Sequence, residues 1–261
     1  MSASTLPLLD QPMAIQAMFH PRRETSGGIG PGLTVRIPVG GGLHTGGRLY
    51  CQDPQAPLIL YFHGNGEIAA DYDELGPIYN QVGATLLVVD FRGYGISDGT
   101  PTGSALMADA QAAWDHLPRL EEQENLQPAQ RLVMGRSMGS AAALAVAERA
   151  GASLDGLIIE SGFAFTLDLL ERLGCPPLGA YSEGDGFRTL EKISRVTAPT
   201  LIIHGAQDWI IPPGDGQALA ESCPAPRKGL LLIPNAGHND LMMVGFQAYF
   251  QAIRDLMYPR D

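Results

Sequence analysis

The segment Arg131-Leu132-Val133-Met134-Gly135-Arg136-Ser137-Met138-Gly139-Ser140-Ala141-Ala142-Ala143-Leu144-Ala145-Val146-Ala147 decides the fold. Its apolar start has the length of a buried strand, and the alanine-rich run at its end favours a helix. Between them, Gly-x-Ser-x-Gly forms the sharp turn that projects a serine from the edge of a sheet. The flanking glycines leave room for that strained backbone. Small residues on the following helix let it lie close against neighbouring strands.

Outward from this segment the pattern repeats. Leu58 to Phe62, Thr85 to Val89, Leu132 to Met134, Leu157 to Ile159, Leu201 to Ile203 and Leu230 to Ile233 are short apolar runs, separated by helix-like stretches such as Ser104 to Leu117 and Ser140 to Arg149. Buried runs alternating with helices predict a mostly parallel, doubly wound α/β sheet. Ahead of them, glycine-broken extended runs between Leu33 and Asp53 predict antiparallel lead-in strands. Residues 1–30 are expected to form an irregular N-terminal arm with an apolar patch around Met18 and Phe19. Residues 31–261 are expected to form one domain. A small cap is expected at about 161–198, where Gly174-Cys175-Pro176-Pro177-Leu178-Gly179 interrupts a helix from Phe163 to Leu173.

Composition narrows the function. The 261 residues are 45% hydrophobic and 17% charged, which suits a chain with a substantial core. A net charge of −11 without a Lys/Arg cluster argues against nucleic acid and against stable association with anionic membranes. Cys51, Cys175 and Cys223 are widely spaced and form no CxxC pair, so zinc and dithiol chemistry are not expected. The start is not that of a secretory signal and no stretch is long enough to span a membrane, so a cytoplasmic location is expected.

In doubly wound sheets the site gathers where the strands end. Residues following the apolar runs are His63-Gly64-Asn65-Gly66, Asp90-Phe91-Arg92-Gly93, Gly135-Arg136-Ser137, Glu160-Ser161, His204-Gly205-Ala206-Gln207-Asp208 and Ala236-Gly237-His238. A serine hydroxyl needs an imidazole to take its proton, and the imidazole needs a carboxylate on its other nitrogen. Ser137 is the candidate nucleophile, His238 the base and Asp208 the acid, with Glu160 as the competing acid. His204 ends a strand and is expected to pack there; His63 is expected to shape its loop. A second match, Gly95-Ile96-Ser97-Asp98-Gly99, runs into Thr100-Pro101-Thr102-Gly103 with no immediate helix and reads as a turn. The candidate oxyanion hole combines the Met138 amide with one from the loop after the first parallel strand, Asn65 being preferred and Gly66 the alternative. No HExxH or comparable spacing suggests a metal, and the chemistry needs no cofactor.

As an ordered set, Tyr61-Phe62-His63-Gly64-Asn65-Gly66, Asp90-Phe91-Arg92-Gly93-Tyr94-Gly95, Gly135-Arg136-Ser137-Met138-Gly139-Ser140, His204-Gly205-x-x-Asp208 and Gly237-His238 closely resemble the α/β-hydrolase-domain serine hydrolases, in the branch that includes protein depalmitoylases. The resemblance covers roughly residues 50–255. It implies an α/β-hydrolase fold, the same Ser–Asp–His set, and loop-shaping roles for Asp90 and Arg92. Without the cysteine cluster or spanning helix of the membrane-bound members, the expected substrate is a small-molecule ester or thioester. Peptidase or amidase action with the same residues, and a ligand-binding module without turnover, are the alternatives.

Overall fold

The computed structural model describes residues 6–25 and 29–259. Its centre is an eight-stranded sheet in the order β1-β2-β4-β3-β5-β6-β7-β8. The strands are β1 Leu33–Gly40, β2 Leu43–Tyr50, β3 Leu58–Phe62, β4 Thr85–Val89, β5 Arg131–Arg136, β6 Gly156–Glu160, β7 Thr200–Gly205 and β8 Lys228–Ile233. The β1–β2 and β2–β4 pairings are antiparallel, and the remaining pairings are parallel. The apolar runs are therefore the parallel strands, preceded by the expected lead-in hairpin.

Successive strand residues point to opposite faces, so each run feeds two cores. Leu58, Leu60, Phe62, Val133 and Ile159 join one cluster, whereas Ile59, Tyr61, Leu132, Met134 and Ile158 join the other. Helices α1 Pro12–Met18, α3 Gly103–Gln123, α4 Gly139–Ala150, α5 Thr166–Arg172, α6 Thr189–Ile193 and α7 Pro213–Ser222 contribute to the first. Helices α2 Gly76–Gln81 and α8 Leu241–Met257 cover the second. The alanines of α4 lie flush on the sheet, Ala141, Ala142 and Ala143 having no exposed surface.

Two local expectations change. Helix α3 continues through Pro118 to Gln123 instead of stopping at Leu117. Proline removes one helical hydrogen bond, but the second half is held from outside, with Leu120 buried and Glu121 bound bidentately by Arg131 at 2.6 and 2.5 Å. The described part of the N-terminal arm is not irregular either. It contains α1, and it buries Leu8, Leu9, Met18 and Phe19 in the main core, so tertiary burial orders a stretch whose local pattern is weak. Residues 1–5 and 26–28 of that arm lie outside the described residues.

Between β6 and β7, α5, a short 3₁₀ turn Glu183–Asp185 and α6 form the segment expected to be a cap. The Glu183 carboxylate accepts hydrogen bonds from the amides of Thr166 and Leu167, both at 2.8 Å. An acceptor of that charge satisfies donors that the first turn of α5 would otherwise leave open. Among the described residues, no helix is long and apolar enough to cross a membrane.

Candidate active site

Strand β5 delivers Ser137 to the carboxyl end of the sheet. The turn into α4 holds this serine at φ +52°, a left-handed conformation that costs about 1 kcal/mol or more in a non-glycine residue. Its amide donates to the Glu160 carbonyl at 2.8 Å, and its carbonyl accepts from the Ser140 amide at 3.0 Å, which together fix the bend. A side chain at Gly139 would meet the Phe62 carbonyl oxygen and one at Gly135 would meet the Gly139 carbonyl oxygen, so this turn has room for hydrogen only.

The loops after β7 and β8 bring the other two candidates to this serine. His238 Nε2 lies 3.0 Å from Ser137 Oγ, and His238 Nδ1 lies 2.7 Å from Asp208 Oδ2. The second oxygen of Asp208 accepts the Ile210 and Ile211 amides, each at 2.9 Å. Burial alone would raise the Asp208 pKa, but hydrogen bonding from His204 and His238, the His238 charge and the Ile211 amide outweigh it. They hold the carboxyl well below the usual carboxylate range. With Asp208 ionised, Nδ1 carries the proton and Nε2 faces the serine as the acceptor.

Glu160, the competing acid, faces elsewhere. Its Oε1 accepts from Arg136 Nε at 3.1 Å, and its Oε2 accepts from the Tyr249 hydroxyl at 2.6 Å. Arg136 also forms an ion pair with Glu67 and donates through Nη2 to the His238 carbonyl and to Asn239 Oδ1, both at 2.9 Å. The residue between the first glycine and the serine is thus a buried strut that reaches the histidine loop. Burial raises the Glu160 pKa, opposed by Arg136 and Tyr249. Burial acts the same way on Glu67, but Arg136, His63, Tyr72 and the Gly64 amide prevail and lower it. Sequence reasoning missed this network because its partners lie 24, 69 and 102 residues from Arg136.

The remaining candidates separate cleanly. Ser97 is 1% exposed, accepts the Gly46 amide at 2.8 Å and is a turn residue, as expected. His63 is buried with Nδ1 2.8 Å from the Gly64 carbonyl oxygen and Nε2 3.4 Å from Asp90 Oδ1. Asp90 accepts the Ala69 amide at 2.7 Å, and Arg92 grips Asp109 of α3 with two hydrogen bonds of 2.7 Å. His204 sets Nε2 2.8 Å from the Ile211 carbonyl oxygen and 3.5 Å from Asp208 Oδ2, behind the carboxylate. No cluster of metal-ligating side chains occurs among the described residues.

Ser137 and His238 open onto a cavity of about 210 Å³ that Asn65 and Met138 also line. Its apolar wall is built by Met18, Phe163, Leu169, Leu173, Phe187 and Ile210. The Asn65 side chain is already engaged: Oδ1 accepts from the His20 amide at 2.9 Å and the Tyr94 hydroxyl at 2.8 Å, while Nδ2 donates to His20 Nδ1 at 2.7 Å.

A sheet of this order, with a strained serine after β5 and the acid and histidine after β7 and β8, defines an α/β-hydrolase. The chain belongs to the family described as serine aminopeptidase, S33, whose model matches residues 53–170 and 186–242. It is 32% identical over 209 residues to α/β-hydrolase domain-containing protein 17B of Homo sapiens, spanning 77% of this chain and 68% of that protein. Against the 17C protein of Xenopus tropicalis it is 29% identical over 211 residues, which cover 79% of this chain and 63% of that one. In fold it is similar to an esterase of Pyrococcus furiosus, with a TM-score of 0.70, 17% identity and coverage of 92% of this chain and 96% of that one. It is likewise similar to a soluble variant of the monoglyceride lipase of Saccharomyces cerevisiae, with a TM-score of 0.67, 17% identity and coverage of 87% and 94%.

Proposed function

We propose that the protein hydrolyses a carboxylic ester or thioester through an acyl-enzyme on Ser137. The carrying observation is the continuous path from Asp208 Oδ2 through His238 to Ser137 Oγ, with separations of 2.7 and 3.0 Å. Ser137 Oγ attacks the carbonyl carbon as His238 Nε2 takes its proton. The amides of Met138 and Asn65 meet the oxygen that becomes negative. His238 then gives the proton to the departing alkoxide or thiolate. Water, deprotonated by the same imidazole, attacks the acyl carbon, and the acid leaves with Ser137 restored. Asp208 stabilises the imidazolium in both halves and keeps its own charge throughout.

The cavity favours a modest acyl group, since about 210 Å³ lies below the roughly 300–1,000 Å³ usual for drug-sized ligands. Aminopeptidase action, which the family description names, has less support in the cavity. A substrate α-ammonium group calls for a facing carboxylate, and the described lining contains none.

The reading is tested with a fluorophosphonate probe and a panel of p-nitrophenyl esters, acyl thioesters and aminoacyl amides. Stoichiometric labelling of Ser137, with ester or thioester turnover highest for acyl groups of about two to six carbons, is expected. An unreactive Ser137 in folded protein would support a binding module instead, and preferential amide turnover would support a peptidase.

A further inference from the structure

The wall of the cavity has an unusual contributor. Met18 belongs to the arm ahead of the hydrolase sheet, not to the cap, yet it is 3% exposed and lines the same cavity as Ser137 and His238. Both ends of the arm are fastened to other parts of the fold. On one side, Asp10 accepts from the Ser104 amide at 2.9 Å and from the Ser104 hydroxyl at 2.6 Å, at the start of α3. Gln11 Nε2 donates to the Tyr181 hydroxyl at 2.9 Å. On the other side, the His20 amide donates to Asn65 Oδ1 and to the Tyr94 hydroxyl at 2.9 and 2.8 Å, and Arg22 forms an ion pair with Asp71. Met18 therefore sits two residues from a clamp on the very loop that supplies the Asn65 amide, and it is held against the site from both directions.

We propose that Met18 is a specificity-determining residue that sets the longest acyl chain the enzyme accepts, the arm acting as one wall of the acyl pocket. This rests on the acyl-transfer reading above. A methionine at a fixed Cα fills irregular apolar space closely, and in a cavity this small the three heavy atoms lost on truncation are a substantial gain in room. The cap supplies another part of the wall through Phe163 and Phe187, whose rings pack 5.8 Å apart and are both buried. Met18 can be shortened without disturbing that aromatic pair.

The test measures kcat/KM against acyl chain length with p-nitrophenyl esters for the wild type, Met18→Ala and Met18→Val, together with fluorophosphonate labelling of Ser137. In Met18→Ala the optimum is expected to move about two carbons longer, with kcat/KM for the ester two carbons beyond the wild-type optimum rising about tenfold. Met18→Val, which disturbs the core less, is expected to move the optimum in the same direction by about half as much, so the test stands even where the alanine variant does not fold. Folded variants that label at Ser137 and keep the wild-type chain-length profile would overturn the role of Met18 alone. A wild type that neither labels nor turns over any ester would overturn the acyl-transfer reading itself.

Discussion

Gly-x-Ser-x-Gly is written twice in this chain, and the two copies place their backbone strain differently. Around Ser137 the constraint is space: side chains at Gly135 and Gly139 would run into backbone carbonyls, while the left-handed strain falls on the serine itself. Around Ser97 backbone hand enters at both glycines, Gly95 and Gly99 having φ of +49° and +72°. A side chain at Gly95 would also meet the buried Asp90 carboxylate, so Gly99 alone is held by hand without crowding, and the serine relaxes into a buried turn whose hydroxyl serves the Gly46 amide. One string thus encodes the proposed nucleophile in one place and a loop staple in the other. What separates them is the strand before and the helix after.

The sharpest way to break this comparison is to remove each hydroxyl. Ser137→Ala is expected to lower kcat by about 10⁶-fold, whereas Ser97→Ala should leave turnover within about tenfold. It should instead cost about 1–3 kcal/mol of stability, because the buried Gly46 amide loses its acceptor. Ester turnover and urea titrations of both variants decide it, and the reverse ranking would move the nucleophile to Ser97.

The carboxylates behind the serine form a similar pair. Asp208→Asn should lower kcat by about 10⁴-fold by disturbing the imidazole tautomer. Glu160→Gln should cost no more than about 10²-fold, since its contacts reach the site only through Arg136. Steady-state kinetics of the two variants side by side would expose an error if Glu160→Gln were the more damaging.

At the glycines the expected effects are on stability. Gly139→Ala should cost more than about 3 kcal/mol, because the clash is with backbone that has no rotamer to change. Gly99→Ala should cost about 1–2 kcal/mol, since nothing crowds that position more closely than ordinary contact and only the left-handed φ penalises it. Equal losses in thermal unfolding would dissolve the distinction between space and hand.

Acid titration gives the smallest effect, with opposite signs for the two carboxylates. Asp208 is depressed in the folded state against the pull of its burial, so its charge contributes stability that is complete above about pH 4–5 and is lost as pH falls toward the folded value. Glu160 is raised by burial, so the folded state holds its proton longer and stability declines as pH rises through the same region. Relative to wild type, the cost of Asp208→Asn should therefore grow between pH 3 and pH 6.5, and that of Glu160→Gln should shrink. Each unit of pKa displacement corresponds to about 1.4 kcal/mol in urea unfolding. Parallel trends would contradict the assignment.

Much of this was open to inspection in the chain. The parallel strands announce themselves as apolar runs, and the residues following them contain Ser137, Asp208 and His238 because loops at strand ends are short and tied to the sheet. Local pattern could not reveal Arg136 as a strut. An arginine inside a turn motif carries no sign of two glutamates and a carbonyl brought in from distant strands. Nor could it order the arm, since Pro12–Met18 is too short to be a convincing helix alone and gains its shape from packing against the rest of the fold. The extension of α3 past Pro118 was hidden for the same reason: Glu121 and Leu120 are held from outside the helix.

The arm also imposes an order of assembly. Its fastenings to Asn65, Tyr94, Ser104 and Tyr181 span 45, 74, 94 and 170 residues of chain. Closures of that length follow local structure in time, and synthesis delivers residues 6–24 long before their furthest partners. A chain emerging from the ribosome can build its early strands and the serine turn while the arm still has nothing to fasten to at its cap end. Only when Tyr181 has been made can every tie close, so the stretch of chain that is ready first waits on a residue 170 positions later before it is fastened at both ends.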